Sequence, residues 1–303
     1  MALVEYLLDG TKIDKVQIAI NRYRAFEPPE GYLVEFSGGK DSACIFELAK
    51  MAGVKFRAEY NVTSVDPPEL VQFIKDKYPN VKRNVPLDKD GKPITMWNLI
   101  PKKLIPPTRI CRYCCANLKE SQGKGEFVVT GVRKAESVNR AKNNGIVKIL
   151  NPTEEIRQNE NFLQTVKGGV VLNDDNDEAR RMVEQCFRTN KTILNPIVDW
   201  SDEDVWEFIH TYSLPYCGLY DKGYKRLGCI GCPMNTNAAV ELDAYPKYKQ
   251  AYLRAFDKML KEREKRGVPK IWDTPEDVMD WWLGKKPLNK ELEGQISFDE
   301  IEE

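Results

Sequence analysis

The sequence predicts an α/β protein: a parallel sheet with helices on both faces, followed by a helical C-terminal part. Three observations carry this. Short apolar runs alternate with longer amphipathic stretches up to residue 198, the pattern of strand–helix–strand units that build a parallel sheet. The run at 32–36 passes straight into a glycine turn and then a helical pattern. After Ser201 the periodicity is helical throughout.

In order, residues 13–26 read as an amphipathic helix stopped by Pro28-Pro29, and 32–36 as a buried strand. Residues 41–51 form a helix, 54–60 a strand, and 67–78 a helix opened by proline. A strand at 127–130 precedes a helix from Lys134, and 146–150 and 193–198 are further strands. Residues 151–190 are polar and weakly periodic, which reads as an insertion, helical near 177–187 and with Cys186 as a buried apolar residue. Helices follow at 202–210, 245–266 and 275–283, and 288–303 is an acidic, frayed tail. The expected organisation is an N-terminal helix (1–30), an α/β domain with the insertion (31–235) and a helical region (236–303).

With 303 residues the chain can bury a full core. Its 46 basic and 46 acidic residues balance, so nucleic-acid binding would need a local patch. No apolar stretch approaches the roughly 18 residues of a membrane span, and no leader is expected at residues 3–8, where Glu5 interrupts. A cytoplasmic protein with no membrane partner is expected. Eight cysteines in such a compartment favour metal or redox chemistry over disulfides. The single histidine, His210, sits late in a helix, which disfavours histidine catalysis and mixed Cys/His zinc sites.

Two regions carry chemistry. The first is Ser37-Gly38-Gly39-Lys40-Asp41-Ser42, between strand and helix. Two glycines let backbone N–H groups approach an anion, the helix N-terminus adds partial positive charge, Lys40 supplies a cation and Ser37 and Ser42 supply hydroxyl donors. A carboxylate among phosphates needs a bridging cation, so Asp41 reads as a Mg²⁺ ligand. Arg133, after a strand end, suits a forked grip on phosphate or sulfate, and Arg140 lies on the same helical face. Asp66, after the second strand, can meet a ribose or Mg²⁺, or serve a turn. Ser201 with Asp204 reads as a helix start, and Trp200 and Trp206 as core.

The second is Cys111-Arg112-Tyr113-Cys114-Cys115 with the distant Cys229-Ile230-Gly231-Cys232. Two Cys-x-x-Cys units give four soft thiolates, which suit zinc or a [4Fe–4S] cluster. Adjacent Cys114 and Cys115 reach two corners of a cluster more readily than two corners around one ion. The preferred ligands are Cys114, Cys115, Cys229 and Cys232, with Cys111 as the alternative to Cys115.

The hexapeptide Ser37–Ser42 resembles the signature of the PP-loop ATP pyrophosphatases, of the adenine nucleotide alpha hydrolase-like fold. The resemblance implies ATP cleavage to pyrophosphate and an adenylated substrate. Residues Cys114 to Lys119, with Cys229 and Cys232, resemble the Cys-Cys-x-x-x-Lys and Cys-x-x-Cys motifs of iron–sulfur sulfonucleotide reductases. Thr130 to Ser137 is similar to their Gly-x-Arg-x-x-x-Ser segment, and Pro196, Ile197 and Trp200 to their Pro-Ile-x-x-Trp. Leu214-Pro215-Tyr216, Leu219-Tyr220 and Gly223-Tyr224 continue the match. The chain thus resembles the phosphoadenosine-phosphosulfate reductase-like family over about residues 30–235 outside the insertion. That resemblance implies catalytic roles for Lys40, Asp41 and Arg133, and a nucleotide site of Ser37 to Ser42, Asp66, Gly131, Arg133 and Arg140.

Two departures from the reductases stand out. Their nucleophilic tail cysteine has no counterpart after Cys232, and the full Ser-Gly-Gly-Lys-Asp-Ser is kept where theirs is relaxed. Cys217 and Cys111 are then the thiols left to act as nucleophiles. Both departures imply the ATP-using, iron–sulfur branch, similar to proteins of DNA phosphorothioation and tRNA thiolation. Sulfur transfer to a nucleic acid or small acceptor is the expected activity, with ATP, Mg²⁺ and a sulfur-donor partner. The alternatives are a sulfonucleotide reductase acting on an adenylyl sulfate, and a non-catalytic nucleotide-binding subunit.

Overall fold

A short hairpin of β1 (Val4–Tyr6) and β2 (Lys12–Asp14) leads directly into the helix Lys15–Ala25. Asp14 caps this helix, its Oδ1 accepting from Gln17 N at 3.0 Å. The computed structural model describes residues 3–6, 8–120, 123, 125–166, 168–173, 183 and 191–287. The predicted helix at 177–187 (apart from Val183), Cys186 and the acidic tail lie outside the described residues.

The central sheet contains β3 (Tyr32–Glu35), β4 (Phe56–Asn61), β5 (Lys82–Asn84), β6 (Phe127–Val129), β7 (Val147–Ile149), β8 (Leu163–Gln164), β9 (Val170–Leu172) and β10 (Thr192–Leu194). Their order is β5-β4-β3-β6-β10-β7-β9-β8. From β5 through β10 every neighbouring pair is parallel. The chain runs from β3 outward to β4 and β5, then returns to add β6 on the other side of β3. The strand order therefore reverses between β3 and β6, and such a reversal opens a crevice at the carboxyl ends of the strands.

The sheet is mainly rather than wholly parallel. β7 runs against both β10 and β9, and β8 against β9. Parallel neighbours need a long crossover, and β8 and β9, joined by a short connection, pair antiparallel instead. The expected parallel sheet runs from β5 to β10, with antiparallel strands added beyond β10. Part of the segment read as an insertion supplies β8 and β9, and the buried run Val170-Val171-Leu172 gives β9 its place.

The helix after β3, Lys40–Ala52, is closed by Gly53 in the left-handed region. The predicted helix from Lys134 is broken in two. A single 3₁₀ turn, Lys134–Glu136, ends at an extended Ser137, whose Oγ then caps the helix Val138–Asn143 by accepting from Arg140 N at 3.2 Å. Serine competes with the helical backbone and starts a new helix. The helix Asp202–Thr211 opens with the expected capping box of Ser201 and Asp204. Trp200 is fully buried, and half-buried Trp206 packs edge-on to Tyr216 and Tyr220 and stacks on His210.

The chain divides into two compact units, each with its own apolar core. One, the sheet unit, comprises Met1–Val62, Pro67–Val85 and Glu120–Gly228. The other comprises Thr63–Asp66, Pro86–Lys119 and Cys229–Glu303. In this second unit the helix Met96–Lys103 packs on the helix Pro246–Lys265, with Trp97 and Tyr252 edge to face at 5.1 Å. Arg263 of the long helix donates to the carbonyl of Leu104, the left-handed cap of the shorter one, at 2.8 Å. Residues 86–119 thus belong with the C-terminal helices. Among the described residues, no helix is long and apolar enough to cross a membrane.

Candidate functional site

β3 is buried along Tyr32, Leu33 and Val34 and delivers the Ser37–Ser42 loop to the reversal point of the sheet. Gly38 has φ +75°, and a Cβ there would lie 2.7 Å from Leu70 Cδ1, so only glycine fits. A Cβ on Gly131 would stand 3.0 Å from the Cβ of Asp41, so the end of β6 packs directly on the first turn of the loop helix. Ser42 Oγ donates to the carbonyl of Gly39 at 2.8 Å, and Ser37 Oγ to Ser42 Oγ at 3.3 Å. Lys40 N–H donates to Tyr220 Oη at 2.9 Å.

The charges of this site interlock. Lys40 and Arg133 are 4% and 3% exposed, an expensive state for cations without partners. Both meet one oxygen: Asp202 Oδ1 lies 2.5 Å from Lys40 Nζ and 2.9 Å from Arg133 Nη2. Arg133 Nε also pairs with Asp41 Oδ1 at 2.5 Å, and its Nη1 donates to Trp200 O at 3.3 Å. Asp41 Oδ2 is 3.8 Å from Lys40 Nζ. Burial pushes the Asp202 carboxyl up, but the hydrogen bonds and charges of Lys40 and Arg133 prevail and hold it below the usual carboxylate range. For Arg133, burial is outweighed by Asp41 and Asp202, and its guanidinium is held more firmly protonated.

Arg140 turns to a different partner. Its Nη1 pairs with Glu136 Oε2, which also accepts from Arg133 N at 3.2 Å. Burial, with the nearby charge of Arg226, lowers its pKa against the pull of Glu136.

In the second unit the cysteines assemble at the helix Tyr113–Leu118 and the turn 229–232. Cys229 Sγ lies 3.6 Å from Thr63 Oγ1 and 3.9 Å from Asp66 Oδ1, and Ile230 N donates to Val65 O at 2.8 Å. Tyr248 Oη donates to Asp66 O, and Thr63 N to Asp66 Oδ2. Asp66 therefore serves a turn, the second of its expected roles, and stands beside the cysteines. Arg112 Nη2 is 3.4 Å from Cys115 Sγ. Hydrogen bonding from Cys114 holds the Cys115 thiol below its usual range, helped by Arg112 and Lys119 and opposed by burial. The same bond, with burial, pushes Cys114 up. Burial also raises Cys229, against the charge of Lys119, and the charge of Cys229 above all keeps Lys119 protonated.

Cys114, Cys115, Cys229 and Cys232 are half-buried, whereas Cys111 is exposed. Among the described residues, no three metal-ligating side chains adopt a metal-site arrangement. The donor set itself fits a soft metal: several thiols, two hydrogen-bonding cations, Arg112 and Lys119, and no competing histidine. Cys217 is 1% exposed and its thiol is raised by burial, which corrects its expected availability as a nucleophile. Asp202 and Glu136 carry no sequence signal of their own, and Tyr220, though within the matched Leu219-Tyr220, had no expected role, since an acid early in a helix or a loop tyrosine gains its place only from the fold.

The fold and this loop define a PP-loop-like α/β protein. Residues 31–235 match the phosphoadenosine phosphosulfate reductase domain, and the chain belongs to that family. An uncharacterized protein of Methanocaldococcus jannaschii is 26% identical over 93% of this chain and 59% of its own length. An adenosine 5'-phosphosulfate reductase of Staphylococcus epidermidis is 24% identical over 54% of this chain and 53% of its own. The chain spans about half to three fifths of the length of these curated relatives. Among solved structures, the phosphoadenylyl-sulfate reductase of Candida auris in its phosphate complex aligns with TM-score 0.42 at 13% identity, covering 71% of this chain and 87% of that one. The U34-tRNA thiolase of Methanococcus maripaludis with its [4Fe–4S] cluster aligns with TM-score 0.33 at 11% identity, covering 88% and 84%.

Proposed function

We propose that this chain binds Mg²⁺-ATP at Ser37–Ser42 and transfers the adenylyl group to an oxygen of an acceptor, releasing pyrophosphate, in a sulfur-transfer reaction. The acceptor oxygen attacks the α-phosphorus, the bond to the bridging α–β oxygen breaks, and that oxygen leaves with pyrophosphate. The adenylated oxygen is then a good leaving group for displacement by sulfur. One observation carries the reading: a complete Ser-Gly-Gly-Lys-Asp-Ser loop at the strand-order reversal, with buried Lys40 and Arg133 converging on one point.

In this reading the loop N–H groups and the Ser37 and Ser42 hydroxyls orient the phosphates. Lys40 and Arg133 neutralise charge that develops on the departing pyrophosphate. Asp41 takes the Mg²⁺. Cys114, Cys115, Cys229 and Cys232 hold a [4Fe–4S] cluster, with zinc as the competing occupant and Cys111 as the alternative ligand. With all four irons ligated by thiolate, such a cluster would supply a redox or structural centre, and it would bind or deliver sulfur only where one thiolate releases its iron. The placing of two of these half-buried thiols, Cys115 and Cys229, near Lys119 supports that assignment. Anaerobic preparation should yield brown protein with broad thiolate-to-iron charge-transfer absorption, and colourless protein with one zinc per chain would refute the cluster.

The test of the nucleotide site is calorimetric titration with Mg²⁺-ATP. Lys40→Ala and Asp41→Ala should each weaken binding about ten- to a hundredfold, the worth of one charge-assisted contact. Unchanged affinity in both would sink the reading. A second reading, reduction of an adenylyl sulfate, is favoured by the relatives named as adenosine 5'-phosphosulfate reductases. Thiol-dependent sulfite release from an adenylyl sulfate, without pyrophosphate release from ATP, would select it.

A further inference from the structure

Asp202 stands apart from the other groups around the loop. One of its oxygens occupies the point where two nearly buried cations converge, yet its own side chain is 59% exposed. Lys40 Nζ and Arg133 Nη2 come from separate segments and aim at the same place because they share that oxygen. A point flanked by two convergent cationic donors is where an anionic oxygen binds best.

The remaining contacts divide the labour. Arg133 keeps Asp41 through Nε and the Trp200 carbonyl through Nη1, so neither bond depends on Asp202. The helix Asp202–Thr211 is capped by Ser201 and Asp204, so its start does not depend on the Asp202 side chain. Asp202, at 59% exposed against 26% for Asp41, can thus swing into solvent without uncapping a helix or baring a guanidinium.

We propose that Asp202 is an internal competitor for the phosphate site: its carboxylate fills the anion position in the nucleotide-free chain, and a nucleotide polyphosphate binds by displacing it. This rests on the reading of the loop as a phosphate site, and goes beyond it by giving the empty site a resident anion. The carboxyl is held ionised by the two cations, so it competes throughout the neutral range. The consequence is a threshold. A monoanion with one oxygen to offer faces an equal rival, whereas a pyrophosphate group, with several charged oxygens, wins the exchange.

The experiment is titration with inorganic pyrophosphate in the presence of EDTA, which isolates the anion contest from any metal. Asp202→Asn keeps shape and removes charge, and should bind pyrophosphate about five- to tenfold more tightly than the unaltered chain, from the gain of one uncontested charge-assisted contact. Glu203→Gln removes the same charge from the next residue, which does not touch Lys40, and should leave affinity unchanged. A gain in Glu203→Gln equal to that in Asp202→Asn would reduce the effect to general field and overturn the proposal. Pyrophosphate binding by the unaltered chain with equal or weaker binding by Asp202→Asn would overturn the proposal alone. Where pyrophosphate binds only with Mg²⁺, the same comparison of variants is read with Mg²⁺ in place of EDTA, and absence of binding in both under either condition would overturn the phosphate-site reading and this proposal with it. Unfolding curves for each variant confirm that a folded chain is being compared.

Discussion

The two units handle buried charge in opposite ways. In the sheet unit, Lys40 and Arg133 face Asp41 and Asp202, two cations against two carboxylates, with three contacts of 2.5–2.9 Å and one of 3.8 Å. In the cysteine unit, Lys119 faces several thiols and Asp66, and the thiols adapt by moving their protons: Cys114 and Cys229 are pushed up and Cys115 down. The first site balances its own charge. The second holds protons that a metal would replace, since thiolates bind metal only after losing them.

Arg133→Met breaks the balance of the first site most severely. It leaves Asp41 and Asp202 with Lys40 alone and removes a nearly buried cation. Loss of one partner of a buried pair costs about 3–5 kcal/mol, and the partial exposure of both carboxylates places this variant near about 2–3 kcal/mol. Urea unfolding measures it, and a change under about 0.5 kcal/mol would mean that the network contributes little.

Lys119→Met sharpens the other side. Without the cation, the thiolates of Cys229 and Cys115 lose their stabilising neighbour. Metal affinity should fall about ten- to a hundredfold, the usual cost of losing a group that supports ligands. The iron retained per chain after anaerobic reconstitution reports this, and full retention would show that Lys119 is a bystander.

The smallest effect separates the units by pH. Asp202 and Asp199 are held low by cations against burial, so the stability they add is complete above their ordinary value of 3.8 and is lost as pH falls through their lowered folded values. Glu241 in the cysteine unit is raised by burial despite accepting from Gly231 N at 2.9 Å. Its protonated form is the one the fold favours, so its contribution is greatest below its ordinary value of 4.5 and declines as pH rises through the raised folded value. Glu241→Gln should flatten the stability profile in that mildly acid window, as read by melting temperature against pH. An unchanged slope would show that the carboxyl is ionised in the fold at little cost.

What was legible in the sequence obeyed local rules. The strand at 32–36, the glycine turn and the helix after it each have a short-range cause, and so has the Ser201–Asp204 capping box. Val170-Val171-Leu172 carried a strand signal that the polar residues around it concealed. Asp66 was readable as a turn residue because its Thr63 partner is three residues away. Its nearness to Cys229, the meeting of Asp202 with Lys40 and the burial of Cys217 are tertiary facts. They join residues distant in sequence, and no local pattern records them. Ser137 shows the reverse case: a local preference for capping overrode the simpler expectation of one continuous helix.

The cysteine unit is built from pieces of chain that are synthesised far apart. Cys114 and Cys115 leave the ribosome before Glu120–Gly228, and Cys229 and Cys232 only after it. Closing so long a loop carries an entropic cost that later contacts must repay. Strands β6 to β10 therefore appear, and the sheet can be completed, while half of the thiol set still waits for its partners. In order of synthesis, then, every strand of the sheet emerges before the second pair of thiols.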